Sequence, residues 1–472
     1  MSARSIIVLE ANEIPYKVFD YFCSRRPGST LARIMERSTQ YRTHTEDKTR
    51  FIMPWVTWPS FHRGVNDEVH QIFKFGQWEA ESDRKYPPIW SLLARGGIRT
   101  GVFSSMQSSP LPENAADYAF YFPDMFSTTT ATVPDELEVL QDFNLSMTRD
   151  SARNVSRHID VRTGARVVLK SRRLGLRAST YADVAGQLLG ELLHPHRKTR
   201  RRAYQPLLLL DAFCKQLERA RPQFSTFFTN HVAAAMHRYW AAAFPEDYED
   251  FGLDRQWVDR YRGEIVFAME KLDSMVERLA GFVDAHEEYM LAIATSMGQA
   301  AIPASHVRQF LTITDIPAFM RRLGVAAGEY EERPAMVPDF SFKVSDGRAD
   351  EFERRLRSMT VGGKPADIHR DRSFFHVSVY DERPDISRVS LSGEEVGIQE
   401  AGLGYLVHED EVACTAQHVP EGSLIIYSPH AKSSGRRART DVSALEFAPS
   451  VLRHFGADVP SYMKPVSLLA NH

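Results

Sequence analysis

The stretch of sequence that decides the fold is Pro54-Trp55-Val56-Thr57-Trp58-Pro59-Ser60-Phe61-His62-Arg63-Gly64, followed six residues later by His70-Gln71-Ile72. Proline suits the first turn of a helix, because no backbone hydrogen bond there needs its missing N–H, and it suits a helix interior poorly. Pro59 therefore predicts a helix that begins close to Thr57. A hydroxyl just ahead of that turn would lie beside free backbone N–H groups and the helix dipole, which favour an anion. Two interpretations stay open: Thr57 acts on an anionic substrate, or Thr57 or Ser60 only caps the helix.

Around this stretch, short apolar runs alternate with amphipathic segments. The apolar runs predict buried strands at residues 5–9, 99–104, 224–229, 289–295 and 422–428. The amphipathic segments predict helices at residues 17–36 (interrupted near Pro27), 89–94, 261–286 and 443–455. Strand, helix and strand at this spacing predict an α/β fold, with helices on both sides of a mostly parallel central sheet.

Size and composition narrow the class of protein. The chain has 472 residues, 43% of them hydrophobic and 25% charged, as a globular protein requires. Its formal net charge of −3 disfavours nucleic acid as the main partner. No apolar stretch reaches the length of a membrane span, and the apolar run near the start is too short for a signal peptide. Three scattered cysteines fit a reducing compartment, so we expect a cytoplasmic protein.

Two regions differ in character from the rest of the predicted domain, which spans residues 1–472. Residues 112–221 include many basic side chains in a helical-looking segment, and we interpret this region as an insertion that covers the sheet edge as a lid. The basic run is either a solvated face or a surface that docks an acidic partner or an anionic carbohydrate. Residues 330–400 are irregular and charged, and predict a second insertion or small subdomain.

The stretch around Thr57 resembles the nucleophile segment of the type I phosphodiesterase and nucleotide pyrophosphatase family, in the alkaline phosphatase superfamily. The resemblance lies in Thr57-Trp58-Pro59-Ser60, in Gly64, and in His70-x-Ile72 at fixed offsets. Residues 89–103 and 423–456 resemble further segments of the same family. The resemblance implies an alkaline-phosphatase-like three-layer α/β sandwich, and it implies that Thr57 is the nucleophile.

The same resemblance implies two divalent metal ions, but several expected ligands differ in this chain. The family aspartate at the end of the first strand corresponds to Asn12, for which Glu10 or Glu13 could substitute, Glu13 only if the backbone turns there. The family's Asp-x-x-x-His corresponds to Ala233 through His237, with Asn230 and His231 just upstream. Asparagine donates a neutral oxygen and is a weaker ligand than a carboxylate.

The remaining family ligands are the most altered. The family's Ser-Asp-His-Gly corresponds to Thr295-Ser296-Met297-Gly298, so an aspartate and a histidine are missing. A thioether does not suit zinc or manganese at a phosphoryl-transfer centre. For the late family histidine the nearest candidate is His430, with His376 as the alternative. The metal ligands expected from the resemblance are therefore Asn12, His231, His237 and His430.

These residues predict a hydrolase or transferase that acts on phosphoric or sulfuric esters through Thr57. Ser60, Arg63 and Ser296 are the expected substrate-binding residues, with His62 as a further candidate. The ligand count leaves open either one divalent ion, zinc or manganese, or none. The expected partner is a small-molecule or carbohydrate phosphoester, without nucleic acid. The alternative is a catalytically inactive relative that keeps an anion-binding pocket.

Overall fold

A computed structural model describes residues 3–49, 52–75, 77, 80–149, 161–249, 251–429, 439–464 and 466–469. The strands are β1 Ser5–Ala11, β2 Thr39–His44, β3 Thr100–Phe103, β4 Phe120–Phe122, β5 Phe224–Thr229, β6 Phe251–Gly252, β7 Tyr289–Ala294, β8 Gly298–Ala301, β9 Ala304–Ser305, β10 Gln309–Ile313, β11 Tyr330–Arg333, β12 Asp339–Val344, β13 Thr360–Val361, β14 Lys364–Pro365, β15 Asp367–Asp371, β16 Phe374–Ser378, β17 Arg388–Leu391, β18 Glu394–Gly397, β19 Leu403–Val407, β20 Ala416–Val419, β21 Glu421–Tyr427 and β22 Thr440–Ser443.

The α-helices are α1 Tyr16–Arg25, α2 Thr30–Arg37, α3 Pro54–Arg63, α4 Asp67–His70, α5 Ala80–Lys85, α6 Ile89–Arg95, α7 Glu138–Arg149, α8 Val161–Leu169, α9 Ser171–Leu174, α10 Ala178–Leu193, α11 Tyr204–Ala220, α12 His231–Ala243, α13 Arg255–Tyr261, α14 Glu264–Ala285, α15 Ile316–Arg322, α16 Asp346–Arg357 and α17 Phe447–His454. Short 3₁₀ segments lie at Ala115–Asp117, Asp135–Leu137, Pro195–Ala203, Pro245–Asp247 and Ala444–Glu446.

Eight strands form the central sheet, in the order β22-β2-β21-β7-β1-β5-β3-β4. The pairs β7-β1, β1-β5, β5-β3, β3-β4 and β2-β22 are parallel. Only β21 runs against its neighbours β7 and β2 within this sheet. The predicted α/β fold with a mostly parallel central sheet is confirmed. The predicted strand at residues 224–229 coincides with β5, because six consecutive buried residues leave it little freedom at either end.

Helices cover both faces of this sheet, so the core has three layers. On one face Ile7 and Leu9 of β1 pack against helices that include α1, α2, α11, α12 and α14. On the other face Ile6 and Val8 pack against α3, α6 and α17. Successive strand residues point to opposite faces, which is why one apolar run supplies both cores.

Helix α3 begins earlier than the sequence predicts. It starts at Pro54, and Pro59 lies inside it. Pro54 satisfies the same first-turn rule as Pro59, and the sequence rule alone does not choose between them. The carbonyl of Trp55, which loses its intrahelical partner because Pro59 has no N–H, accepts a hydrogen bond from Gln107 Nε2 at 3.4 Å.

A third hydrophobic core lies between Leu311 and Leu403, apart from the central sheet. Two four-stranded antiparallel sheets form it, β11-β12-β16-β15 and β14-β13-β17-β18, together with α15 and α16. The polypeptide then returns through β20 to β21 of the central sheet. Among the helices that the structure describes, none combines the length and the apolar character that a membrane crossing needs.

Candidate functional site

Three neighbouring parallel strands end at the same edge of the sheet and bring polar side chains together there. Asn12 follows β1, Asn230 follows β5, and Ser296 comes two residues after β7. The register aligns Ala11 with Thr229, so the two asparagines leave the sheet side by side. Asn12 Nδ2 donates to Asn230 Oδ1 at 2.7 Å. The carboxyl edge of a parallel sheet is where α/β proteins bind ligands, and this edge is the candidate site.

Glu13 enters the site because the backbone turns sharply after β1. Its φ of 64° places it in the left-handed region, and its side chain is buried. Glu13 Oε2 lies 3.0 Å from His237 Nε2 and 3.3 Å from His418 Nε2. Gln299 Nε2 also donates to Glu13 Oε2, and to the carbonyl of Ala233 at 3.2 Å. The turn thus supplies the carboxylate that the neutral Asn12 lacks.

The two imidazoles reach Glu13 from different elements. His237 lies on α12, and His418 lies on β20, which pairs with β8 so that His418 faces Gln299. The two Nε2 atoms are 3.1 Å apart. His237 Nδ1 lies 3.0 Å from the carbonyl of Ala416, which can only accept, so this nitrogen carries the proton and Nε2 is left to face the cluster. This arrangement is the one that metal-binding histidines adopt.

Electrostatics keep Glu13 ionised. Burial acts to raise its pKa, but the charges of His418 and His237 and their hydrogen bonds outweigh burial and hold the pKa far below its ordinary value. Burial acts to lower the pKa of His237, but Cys414 and Glu13 outweigh it and raise the pKa well above the ordinary value. Glu13 is therefore a carboxylate at neutral pH, as a metal ligand must be, whereas His237 carries a proton on Nε2 that a metal ion would have to displace.

The distances within the cluster fit a divalent metal ion. Glu13, His237 and His418 form a group of potential ligands whose donor atoms lie 3.0, 3.1 and 3.3 Å from one another. Ligands about 2.0–2.1 Å from a metal lie ~2.9 Å apart on an octahedral face and ~3.3 Å apart on a tetrahedral face. The side chains of His237 and His418 are 28% and 16% exposed, so one side of the cluster is open to solvent. Two imidazoles and one carboxylate suit zinc or manganese.

Asn12 supports this cluster through Glu13. Its Nδ2 donates to Glu13 Oε1 at 2.6 Å, and its Oδ1 accepts a hydrogen bond from Trp58 Nε1 at 2.8 Å. Tryptophan can only donate, so this contact fixes which end of the amide faces Trp58. Asn12, which the resemblance suggested as a ligand, has both ends of its amide engaged and positions the candidate ligand Glu13.

Thr57 is buried beside Ser296. The two hydroxyl oxygens are 2.7 Å apart, and Thr57 is only 1% exposed. Because α3 begins at Pro54, the N–H of Thr57 already donates to the carbonyl of Met53 at 3.0 Å. The expectation that free N–H groups surround Thr57 is therefore wrong: it lies a full turn inside the helix. Trp58, which contacts Asn12, connects this pair to the candidate metal-ligand cluster of Glu13, His237 and His418, called the metal-ligand cluster below.

Ser60 belongs to a second buried network. Its hydroxyl donates to Asp47 Oδ1 at 2.5 Å and lies 2.8 Å from His70 Nε2. His70 Nδ1 accepts from the N–H of Ile72, so Nε2 carries the ring proton and donates to Ser60. Burial raises the pKa of Asp47 to about 6 and lowers that of His70 to about 3. The sequence-predicted contact of Ser60 with substrate competes with this network.

Arg63 and His62 are also buried. Arg63 Nη2 donates to Asp83 Oδ1 at 2.6 Å, whereas Nε and Nη1 have no hydrogen-bond partner among the residues that the structure describes. His62 Nε2 lies 2.8 Å from Glu10 Oε1, and the ring stacks on Trp58. Glu10 thus points to the α3 face of the sheet rather than to the metal-ligand cluster.

The other sequence-predicted histidines lie apart from this cluster or outside the described residues. His231 Nδ1 accepts from the hydroxyl of Thr229 at 2.7 Å, and its Nε2 donates to the carbonyl of Ala268 at 3.0 Å. Both nitrogens are used in packing, and burial lowers its pKa to about 4. His376 lies in the third core, 3.3 Å from Asp339. His430 lies outside the residues that the structure describes.

Sequence reasoning missed His418. The expected late histidine was His430, after the last core strand. His418 instead lies before that strand, on the short strand β20 that leads into it. The available signal was modest: Ala416-Gln417-His418-Val419 alternates in polarity and ends at Pro420.

Packing explains why residue 298 is a glycine, because a Cβ there would overlap the carbonyl oxygen of Glu421.

Comparisons with known proteins give similarity in structure only. No protein-family model matches the sequence, and no curated protein sequence matches it. Murine ectonucleotide pyrophosphatase/phosphodiesterase 5 is 9% identical, with a TM-score of 0.41 and 98% of each chain covered. Phosphonoacetate hydrolase from Sinorhizobium meliloti in complex with phosphonoformate is 13% identical, with a TM-score of 0.39 over 96% of this chain and 95% of that one. Thermus thermophilus alkaline phosphatase is 12% identical, with a TM-score of 0.42 over 97% and 92%. All three are members of the alkaline phosphatase superfamily.

Proposed function

We propose that this chain is a metal-dependent hydrolase or transferase of phosphoric or sulfuric esters that holds one divalent ion, zinc or manganese. The single observation that carries the proposal is the convergence of Glu13, His237 and His418 at the carboxyl edge of the sheet, on a side open to solvent. An ion bound there would offset the negative charge that develops on the ester oxygens. The resemblance of residues 57–72 to a phosphodiesterase nucleophile segment indicates the class of substrate.

In this proposal Thr57 is the nucleophile. Its oxygen forms a bond to phosphorus or sulfur while the bond to the leaving alcohol breaks, and water or an acceptor alcohol then displaces Thr57. Ser296 is the hydrogen-bond partner of the Thr57 hydroxyl at 2.7 Å, so it orients the hydroxyl, whose proton passes to the departing alkoxide and gives the leaving alcohol. Substrate binding has to displace the packing that leaves Thr57 only 1% exposed.

The remaining roles are assigned from contacts. Asn12 and Gln299 hold the two oxygens of Glu13 and so position one metal ligand. Arg63 carries two donors that meet no partner in the described part of the chain, and it would bind the substrate anion if Asp83, its 45%-exposed partner, moves aside. Ser60 connects the second half of α3 to Asp47 and His70.

The test separates the metal site from the nucleophile. Purified protein is analysed for bound metal and assayed with bis-p-nitrophenyl phosphate, p-nitrophenyl phosphate and p-nitrophenyl sulfate. We expect one zinc or manganese per chain, lost in His418→Ala and kept in His376→Ala, a matched buried histidine of the third core. We expect Thr57→Ala to keep the metal and lose turnover. Metal binding that does not depend on His418 would refute the assigned site.

A second candidate function is a non-catalytic protein that keeps the fold and binds a metal or anion. The observation that favours it is the burial of Thr57 together with the use of its N–H by Met53. Under this alternative, the wild-type protein and Thr57→Ala bind metal equally and neither turns over any of the three esters. Turnover that disappears in Thr57→Ala excludes it.

A further inference from the structure

Helix α10 has its polar residues packed inward and its apolar residues in solvent. Thr180 and Gln187 are buried, and Gln187 Nε2 donates to Glu191 and to the carbonyl of Arg197 at 2.7 Å. Glu191 in turn pairs with Arg201 at 2.6 Å. These polar contacts hold one side of α10 against the 3₁₀ segment Pro195–Ala203, and Val184 on the same side packs, partly buried, against the main core. An ordinary surface helix has the reverse arrangement.

The opposite side of α10 is apolar and exposed. Leu189, Leu192 and Leu193 are 65%, 79% and 79% exposed, and Leu188 adjoins them. At 100° per residue, the same side carries Ala178, Ala182, Ala185 and Gly186 and no charged residue. Monomeric proteins rarely expose a contiguous apolar face of this kind, so it marks a docking surface.

We propose that this face binds the same face of a second copy of the chain, with the two α10 helices antiparallel about a two-fold axis. The sizes of the side chains along the helix support this choice. The small residues lie in the first half of α10 and the leucines in the second half. An antiparallel pairing about the helix midpoint places Leu189 opposite Ala182 and Leu193 opposite Ala178, so each large side chain meets a small one.

Charge supports the same orientation. Lys170, Arg172, Arg173 and Arg177 lie just before α10, are exposed, and form no ion pair with any residue that the structure describes. In the antiparallel dimer they approach the C-terminal end of the partner's α10, where unpaired carbonyls carry a partial negative charge. The basic residues Lys198, Arg200 and Arg201 that follow α10 are already paired with Glu409, Glu264 and Glu191 of their own chain, although Arg197 lies there too and opposes this approach. In a parallel pairing the two sets of four cations would face each other and repel.

The area that two facing α10 helices can bury is smaller than a stable dimer interface needs, so neighbouring surface must also take part in the interface. A 16-residue helix is ~24 Å long and ~10 Å wide, so two facing helices cover roughly 500 Å² in total, whereas a stable interface buries about 1,200–2,000 Å². Beside Leu188 and Leu192 lies a groove of about 450 Å³ that is also lined by Pro195 and Lys198. This groove extends the apolar face, and we assign it to the same interface.

Sedimentation velocity and light scattering of the full chain test the proposal. We expect wild-type protein at twice 53.7 kDa and Leu189→Glu at 53.7 kDa, with a dimer dissociation constant raised at least ~30-fold, as for loss of an interface hot spot. Met336→Glu is the matched control, because Met336 is a 42%-exposed apolar residue between β11 and β12, outside α10, and this variant should remain a dimer. Circular dichroism shows that each variant is folded.

Cysteine cross-linking tests the orientation. A mixture of Ala182→Cys and Leu189→Cys proteins should form disulfide-linked dimers under oxidation, and each variant alone should not, with the wild-type chain as background. Three results would overturn the proposal: a wild-type monomer at about 100 µM, a Leu189→Glu dimer, or cross-linking within each variant alone. A wild-type monomer that sediments with phosphatidylserine vesicles through Leu189 would instead assign the face to a lipid surface. These tests of dimerisation do not depend on whether the chain has the proposed hydrolase or transferase activity.

Discussion

Replacing Asp47 with asparagine is expected to make the protein more stable at neutral pH and to change its stability little at pH 4. Asp47 accepts hydrogen bonds from the Ser60 hydroxyl at 2.5 Å, the Thr45 hydroxyl at 2.5 Å and the N–H of Asp67 at 2.9 Å. Burial nevertheless outweighs these bonds and raises the pKa from 3.8 to about 6. Asparagine keeps the shape and an acceptor oxygen, and it never becomes charged.

The sign and size follow from this shift. The pKa is higher in the folded protein than in the unfolded chain, so the stabilisation is complete below pH 3.8 and is lost as the pH rises through about 6. A shift of about two units corresponds to ~3 kcal/mol, of which about 2–3 kcal/mol is lost between pH 4 and pH 7.5. The neighbouring His70, whose lowered pKa acts in the opposite sense, is present in both proteins and cancels from their difference.

Urea unfolding followed by tryptophan fluorescence at pH 4, 5, 6 and 7.5 measures the difference between variant and wild type. We expect that difference to grow by about 2–3 kcal/mol in favour of the variant from the lowest to the highest pH. Asp458→Asn, which removes an exposed carboxylate, should show no such trend. A difference that stays below ~1 kcal/mol, or one that grows in favour of the wild type, would show that Asp47 is not held in a costly environment.

Three further results are expected. Asn12→Ala should weaken metal binding ~10–100-fold in a chelator competition without abolishing it, since Asn12 only holds Glu13 Oε1; complete loss would make Asn12 a ligand. Gly298→Ala should lower the free energy of unfolding by about 1–3 kcal/mol, because the new Cβ overlaps the Glu421 carbonyl, and an unchanged urea midpoint would contradict the packing. Asp410→Asn should cost about 3–5 kcal/mol by leaving the buried Arg238, 3.0 Å away, without its carboxylate; a loss under ~1 kcal/mol would argue against this pair.

The sheet could be predicted from the sequence because its strands are buried on both faces. Phe224–Thr229 and Tyr289–Ala294 are buried at every residue, and each is too short for a helix that would cross the core. The start of α3 was predicted at the wrong proline, since Pro54 and Pro59 satisfy the same local rule. The packing of Gln107 against the Trp55 carbonyl, which makes the inner proline tolerable, involves a residue about 50 positions away.

The candidate site was harder to predict than the sheet, because its members come from distant parts of the chain. His237 follows from a motif, but Glu13 reaches the cluster only through one left-handed residue. His418 reaches the cluster because its strand, β20, pairs with β8, and local sequence does not predict this long-range pairing. The exposed apolar side of α10 was not predicted for another reason. Basic residues before and after the helix dominate the composition of this region, whereas the leucine side of the helix itself carries no charged residue.

The site and the burial of Thr57 together constrain how such a protein could act. The three candidate ligands already converge, Glu13 is held as a carboxylate, and the cluster is open on one side, so binding of a metal would require little more than loss of the His237 proton. Thr57, in contrast, is enclosed by its own helix and by Ser296. If the chain is an enzyme, the conformational change during turnover should therefore occur on the side of α3 and not at the ligands. Hydrogen exchange of residues 54–64 with and without vanadate, at saturating metal, would detect this change, and equal protection in the two states would favour the non-catalytic alternative.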